Sequence, residues 1–334
     1  MSARAVIFGC AGTGLGRGER RFFAEAEPWG FILFARNIED PAQLRRLSPG
    51  LRDCVGRDAP VLIDQEGGRV ARMRRPAWRE WAPALDACRA QPDPDLRTLA
   101  MRLRYRLIAA ELAEVGIDVD CAPVLDIAGP DTHPVILNRC YGDDPAEIAA
   151  VGRAVAEGLL AGGVLPVMKH VPGQGRAALD SHLALPRVSA PRETLAADFA
   201  PFRALRDLPV AMTAHVVYDA IDPERPATQS PAVVEVIREE IGFGGLLLTD
   251  DLSMKALEGS FAVRAARALG AGCDVALHCN GDPAEMAEVA SAVPALGGEA
   301  AARAARALAL RHAVAGDTAA FGAELADLGG LARA

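Results

Sequence analysis

Eight short apolar runs recur along the chain: "AVIFGC", "GFILFAR", "APVLIDQ", "DVDCAPVLD", "GVLPVMKH", "PVAMTAHV", "GLLLTDD" and "DVALHC". They are apolar at successive rather than alternating positions, the pattern of strands buried on both faces of a parallel sheet. The segments between them, such as 95–115 and 145–160, carry helical periodicity. Strand and helix alternating eight times predict an α/β fold closed as a (β/α)8 barrel of the TIM type, rather than an open doubly wound sheet with a second domain. With 334 residues, 51% of them hydrophobic, the chain is long and apolar enough to fill one such barrel. No low-complexity linker and no short internal repeat divides it, so residues 1–334 are read as one domain.

A formal charge of −8 leaves no basic surplus for nucleic acid or for an anionic membrane surface, and neither is expected as a partner. The seven cysteines are scattered without a C-x-x-C, and their odd number cannot pair fully within one chain. That usage fits a reducing compartment, and the expected location is cytoplasmic. The "IFGC" ending at Cys10 faintly imitates a lipoprotein cleavage site but lacks the apolar segment that should precede it, so it reads as a first buried strand. No stretch approaches the roughly 18 apolar residues of a membrane-spanning helix.

In a barrel of this kind the C-terminal strand ends surround one mouth. Six of the eight runs finish there in a chemically capable group: Arg36, Asp64 to Glu66, Asp126, Lys169 with His170, His215, and Asp250 with Asp251. Helix capping accounts for any one of these, less readily for six. The Gly-rich "GCAGTGLGRGE" offers no G-x-G-x-x-G register and reads as a loop. None of the six histidines has H-x-x-x-H spacing, although two mouth histidines with Asp64 and Asp250 would be needed for a metal-dependent barrel hydrolase, which stays an alternative. In "LIDQEGGRVARMRR" a carboxylate at a strand end is followed by a Gly67-Gly68 turn, Arg69 and Arg72, a pairing suited to the vicinal hydroxyls of a sugar. In "KHVPGQGRAALDSH", from Lys169 to His182, the residues alone leave open whether the loop shuttles protons or merely connects.

The segments "DQEGGRVAR", "CAPVLDI", "NRCYGDDP", "KHVPGQG", "DSHLALP", "AHVVYDAIDPERPATQSP" and "LLLTDDLSMKAL" resemble, in order along most of the chain, the β-N-acetylhexosaminidases of glycoside hydrolase family 3, in particular the single-domain bacterial β-N-acetylglucosaminidases of cell-wall recycling. The resemblance implies Asp250 as catalytic nucleophile, His182 as general acid/base and Asp180 as the carboxylate that orients it. It implies Asp64, Arg72, Arg139, Lys169 and His170 as the residues that hold the sugar, with no metal and no cofactor. The implied reaction is retaining, exo-acting hydrolysis of terminal N-acetyl-β-D-glucosamine from anhydro-muropeptides by a monomeric enzyme. A phosphorylase is the alternative on the same scaffold, because a neutral imidazole repels an incoming phosphate less than a carboxylate does.

Two further expectations concern geometry. Asp250 and Asp251 are adjacent on a strand, so their side chains are expected on opposite sides. Gly173 and Gly175 are expected to make the proton-shuttle loop flexible. Where the family commonly reads K-H-F-P-G-H-G, this chain has Val171 and Gln174, read as changes in loop packing.

Overall fold

A computed structural model describes residues 3–312, 318–327 and 332–333. The eight apolar runs become the eight parallel strands of a closed barrel: β1 Arg4–Gly9, β2 Pro28–Leu33, β3 Val61–Ile63, β4 Val119–Asp120, β5 Leu165–Val171, β6 Val210–Thr213, β7 Leu246–Asp251 and β8 Val275–His278. Each strand pairs with its successor, and β8 pairs back onto β1 through Val6–Ala276, Ile7–Leu277 and Phe8–His278. The barrel is therefore as expected. β4 is the shortest of the eight, since Pro123 has no N–H to extend the ladder and only an isolated Val124–Lys169 bridge follows.

Successive strand residues face different layers of core. Ile7, Ile32, Leu62, Val119, Val167, Val210, Leu248 and Leu277 pack together inside the barrel. Val6, Phe8, Phe31, Leu33, Val61 and Ile63 pack instead in the shell shared with the helices. Both faces are apolar for this reason, and the runs show no alternation.

The main helices between strands are α1 Arg17–Ala26, α2 Pro41–Val55, α3 Pro94–Glu114, α4 Pro145–Ala161, α5 Arg192–Ala204, α6 Pro231–Glu235 with a π-turn to Glu240, and α7 Phe261–Ala271, followed by α8 Pro283–Ala292 and α9 Gly298–Leu308. Four of them begin at an Asp-Pro pair. Asp40, Asp93, Asp144 and Asp282 each accept from main-chain N–H groups of the first turn, while the following proline takes a place where no N–H is needed. The Ala-rich segment 283–308 divides into α8 and α9. Pro294 interrupts it, and the connection carries the chain under the barrel, where Ala5 N donates to Pro294 O and Leu296 N to Ala3 O. Leu296, Ala304 and Ala307 then close the interior from the N-terminal end.

Candidate active site

The C-terminal strand ends converge as expected, and their side chains owe their placement to local structure. After β3 the chain forms a buried two-stranded ribbon, Gln65–Gly67 with Val70–Ala71, rather than the helix start that a capping role for Asp64 would require. Gly67 has φ +92°, and a Cβ there would stand 2.0 Å from Arg104 Nη2. That guanidinium donates to Glu66 O at 2.8 Å, and Tyr105 Oη donates to the same oxygen at 3.1 Å, so helix α3 holds the ribbon from behind. Gln65 completes the support by accepting from Arg72 N and Met73 N.

This scaffold presents an ion-pair cluster. Arg72 Nη2 donates to Asp64 Oδ2 at 2.9 Å, and Lys169 Nζ donates to Asp64 Oδ1 at 2.7 Å. Lys169 also lies 2.6 Å from Glu66, which accepts a bidentate pair from Arg139 at 2.8 Å. Burial opposes ionisation of Asp64, but Lys169 and Arg72 outweigh it and hold its carboxyl far below the usual range. Glu66 is likewise brought down to about 2 by Arg139 and Lys169 against its burial. Lys169 and Arg139 are held correspondingly above their ordinary values by these carboxylates, again against burial. All four groups are charged at neutral pH.

Lys169 and His170 both line the pocket. Arg139 Nη2 approaches His170 Nε2 at 3.3 Å, and a guanidinium can only donate, so Nε2 accepts and Nδ1–H donates to Asp126 Oδ2 at 2.7 Å. Beyond them, Asp180 Oδ1 accepts from His182 N at 2.9 Å and lies 2.8 Å from His182 Nδ1. The imidazole itself is exposed at the rim; burial opposes ionisation of Asp180, but the two His182 bonds outweigh it and set the carboxyl below its usual range. Gly173 and Gly175 are both buried, contrary to the flexible hinge expected of them. A Cβ at Gly175 would lie 2.0 Å from Ile127 O, so this glycine serves close backbone packing. Val171 sits in the core as expected of a packing change, whereas Gln174 lines the pocket itself.

At the end of β7 both Asp250 and Asp251 line the pocket, which corrects the expectation of opposite sides. The pairing of β7 with β8 shifts register between Leu248 and Asp251, so regular alternation ends before the two carboxylates. Hydrogen bonding separates them instead. Asp251 accepts from Ser253 N, Ser253 Oγ and Cys279 N, and its carboxylate is committed to structure. Asp250 accepts, among the described residues, from Asp251 N alone. Burial resists its ionisation, but His215 and His170 prevail and keep its pKa below the ordinary value. His215 Nε2 lies 2.9 Å from Asp251 O, which can only accept, so Nε2 donates, and Nδ1 lies 2.7 Å from Thr228 Oγ1. Burial lowers the His215 pKa, against the pull of Asp250.

One pocket thus gathers Asp64, Arg72, Arg139, Lys169, His170, His182 and Asp250, with Asp180 behind His182. The Glycosyl hydrolase family 3 N terminal domain matches residues 19–309. The chain belongs to glycosyl hydrolase family 3. It is 40% identical over 282 residues to the Beta-hexosaminidase of Alkalilimnicola ehrlichii, covering 82% of this chain and 80% of that protein. Native NagZ from Neisseria gonorrhoeae is similar in structure, with a TM-score of 0.88, 30% identity and coverage of 100% of this chain and 99% of that one. The same Neisseria protein in complex with N-trifluoroacetyl-D-glucosamine aligns with a TM-score of 0.87 at 30% identity, covering 99% of this chain and 98% of that one.

Three further residues organise this family 3 pocket. Glu66, at a charged strand end in the sequence, joins Lys169 to Arg139. Asp126, also at a strand end, orients His170. Their positions at strand ends were the available signal, but two residues of spacing do not show which carboxylate faces a cation across the barrel. Gln174, noted only as a departure from the family pattern, is the third. Among the described residues no group of three or more His, Cys, Asp or Glu side chains is arranged to hold a metal ion.

Proposed function

We propose that this glycoside hydrolase is a retaining, exo-acting β-N-acetylglucosaminidase. The observation that carries the reading is the pairing, across one pocket, of an ionised carboxylate with few protein contacts, Asp250, and an Asp180-bound imidazole at the rim, His182. Asp250 attacks the anomeric carbon while the glycosidic C–O bond breaks and His182 delivers a proton to the departing oxygen. Water then gives a proton to His182 as its oxygen displaces Asp250, which restores both groups. The rim position of His182 suits this role, because the leaving oxygen of a terminal sugar points outward. Asp64, Arg72, Arg139 and Lys169 hold the sugar hydroxyls through charge-assisted bonds, each worth roughly 1.5–3 kcal/mol, and His170 contacts the sugar beside them.

Similarity to a protein known in complex with N-trifluoroacetyl-D-glucosamine supports a 2-acetamido sugar as the substrate. We read the natural substrates as N-acetylglucosaminyl-anhydro-muropeptides of wall turnover, cleaved by a monomer in the cytoplasm. Seven free thiols fit that compartment, and no described helix is long and apolar enough to cross a membrane. The test is hydrolysis of an aryl N-acetyl-β-D-glucosaminide beside the matching β-glucoside, with and without phosphate. Selective release from the former, with free N-acetylglucosamine as product in both buffers, is expected. Turnover of the β-glucoside alone would overturn the substrate reading, and a sugar phosphate product would overturn hydrolysis.

A further inference from the structure

Gln174 is the least explained side chain in the pocket. It is 1% exposed, and its main-chain N donates to Asp126 Oδ1 at 2.6 Å, the carboxylate whose other oxygen holds His170. Its carboxamide Nε2 donates to Ser181 Oγ at 3.2 Å, and Ser181 is the buried residue between Asp180 and His182. On either side the loop is exposed, at Leu179 by 50% and at Leu183 by 68%. Among the described residues, the Gln174–Ser181 bond is the one hydrogen bond joining 178–185 to the rest of the molecule. The amide oxygen, Oε1, is buried without a hydrogen-bond partner.

A buried acceptor of this kind is unfavourable unless something donates to it. The hydroxyls and the 2-acetamido N–H of an N-acetylhexosamine are the donors that a sugar in this pocket brings. We propose that Gln174 bridges sugar and loop: Oε1 accepts from the bound sugar, while Nε2 holds Ser181 and with it the adjoining imidazole of His182. Gln174 is then a sugar contact and a positioning residue for the proton transfer. Through Asp126 it shares its anchor with His170, so the sugar clamp and the loop are built on one carboxylate. This inference rests on the reading of His182 as proton donor.

Two readouts separate the two halves of the bridge. Gln174→Ala is expected to weaken competitive inhibition by N-acetylglucosamine by about tenfold, the size of one neutral hydrogen bond. It is also expected to make kcat/KM fall more steeply as the leaving group becomes poorer. Ser181→Ala removes only the loop half, so the steeper dependence is expected with unchanged inhibition. Gln174→His, whose ring offers one donor and one acceptor, is expected to recover a substantial part of both losses. Unchanged inhibition in Gln174→Ala would overturn the sugar contact, and equal loss on good and poor leaving groups in Ser181→Ala would overturn the tether. If His182→Ala itself shows no leaving-group dependence, the proton-donor assignment falls together with the loop half, and the inhibition constant still decides the sugar contact.

Discussion

At the scale of single residues, the roles divide according to what each carboxylate already holds. Asp251 is occupied by Ser253 and Cys279, whereas Asp250 is largely free of protein donors. Asp250→Ala is therefore expected to abolish turnover even of activated aryl substrates, and a 2-fluoro or 5-fluoro glycoside to label Asp250 in the unaltered protein. Mass spectrometry of the labelled peptide checks this, and a label on Asp251 reverses the assignment. His182 leads to a different expectation. Its loss should slow disaccharides, with their poor leaving groups, by about 100-fold or more and nitrophenyl glycosides far less, since general acid catalysis typically contributes 10²–10⁴-fold. Asp180→Ala should act in the same direction and be non-additive with His182→Ala, because the two side chains share one hydrogen bond.

The ribbon after β3 shows how an element delivers a charge. Gly67 occupies left-handed backbone against Arg104, whose guanidinium is fully buried. Gly67→Ala combines an unfavourable φ with a clash and should cost about 2–4 kcal/mol, from backbone strain and overpacking together. The ribbon also carries Glu66, so kcat/KM should fall with the melting temperature. Measuring both on Gly67→Ala and on the neighbouring exposed variant Arg74→Ala tests this: an unchanged melting temperature in Gly67→Ala would mean that the ribbon can shift without cost. Reading "EGG" as a turn alone misses this, because the restriction comes from a helix more than 30 residues away in sequence.

For the whole molecule, the buried carboxylates set opposing pH dependences. Glu66 has its folded pKa lowered to about 2, so its contribution is present above its unfolded value near 4.5 and is lost as pH falls toward 2. Asp120, fully buried at the end of β4, is displaced the other way, to about 7, chiefly by burial. Its contribution is complete below its unfolded value of 3.8 and is lost as pH rises through about 7. Stability should therefore peak in weakly acidic buffer, with the decline toward pH 7 carried in part by Asp120. Asp120→Asn keeps the acceptor for Gln65 N and cannot ionise, so its melting temperature should fall less between pH 4.5 and 7 than that of the unaltered chain. Equal slopes in differential scanning fluorimetry would mean that Asp120 is ionised throughout this range.

The chain's own pattern determined the barrel, because strands buried on both faces must be apolar at successive positions, and Asp-Pro pairs start four of its helices. It also determined which strand ends carry chemistry, since every strand of a parallel barrel ends at the same mouth. What sequence could not decide was which of two neighbouring acids is free, or that Glu66 and Asp126 bind cations and imidazole across the barrel. Nor could it show that Gly175 is a packing contact or that Gln174 reaches Ser181. Each of these depends on partners that distant segments bring within about 3 Å, the range in which a hydrogen bond or a clash is decided. Only the closing of the barrel sets those distances.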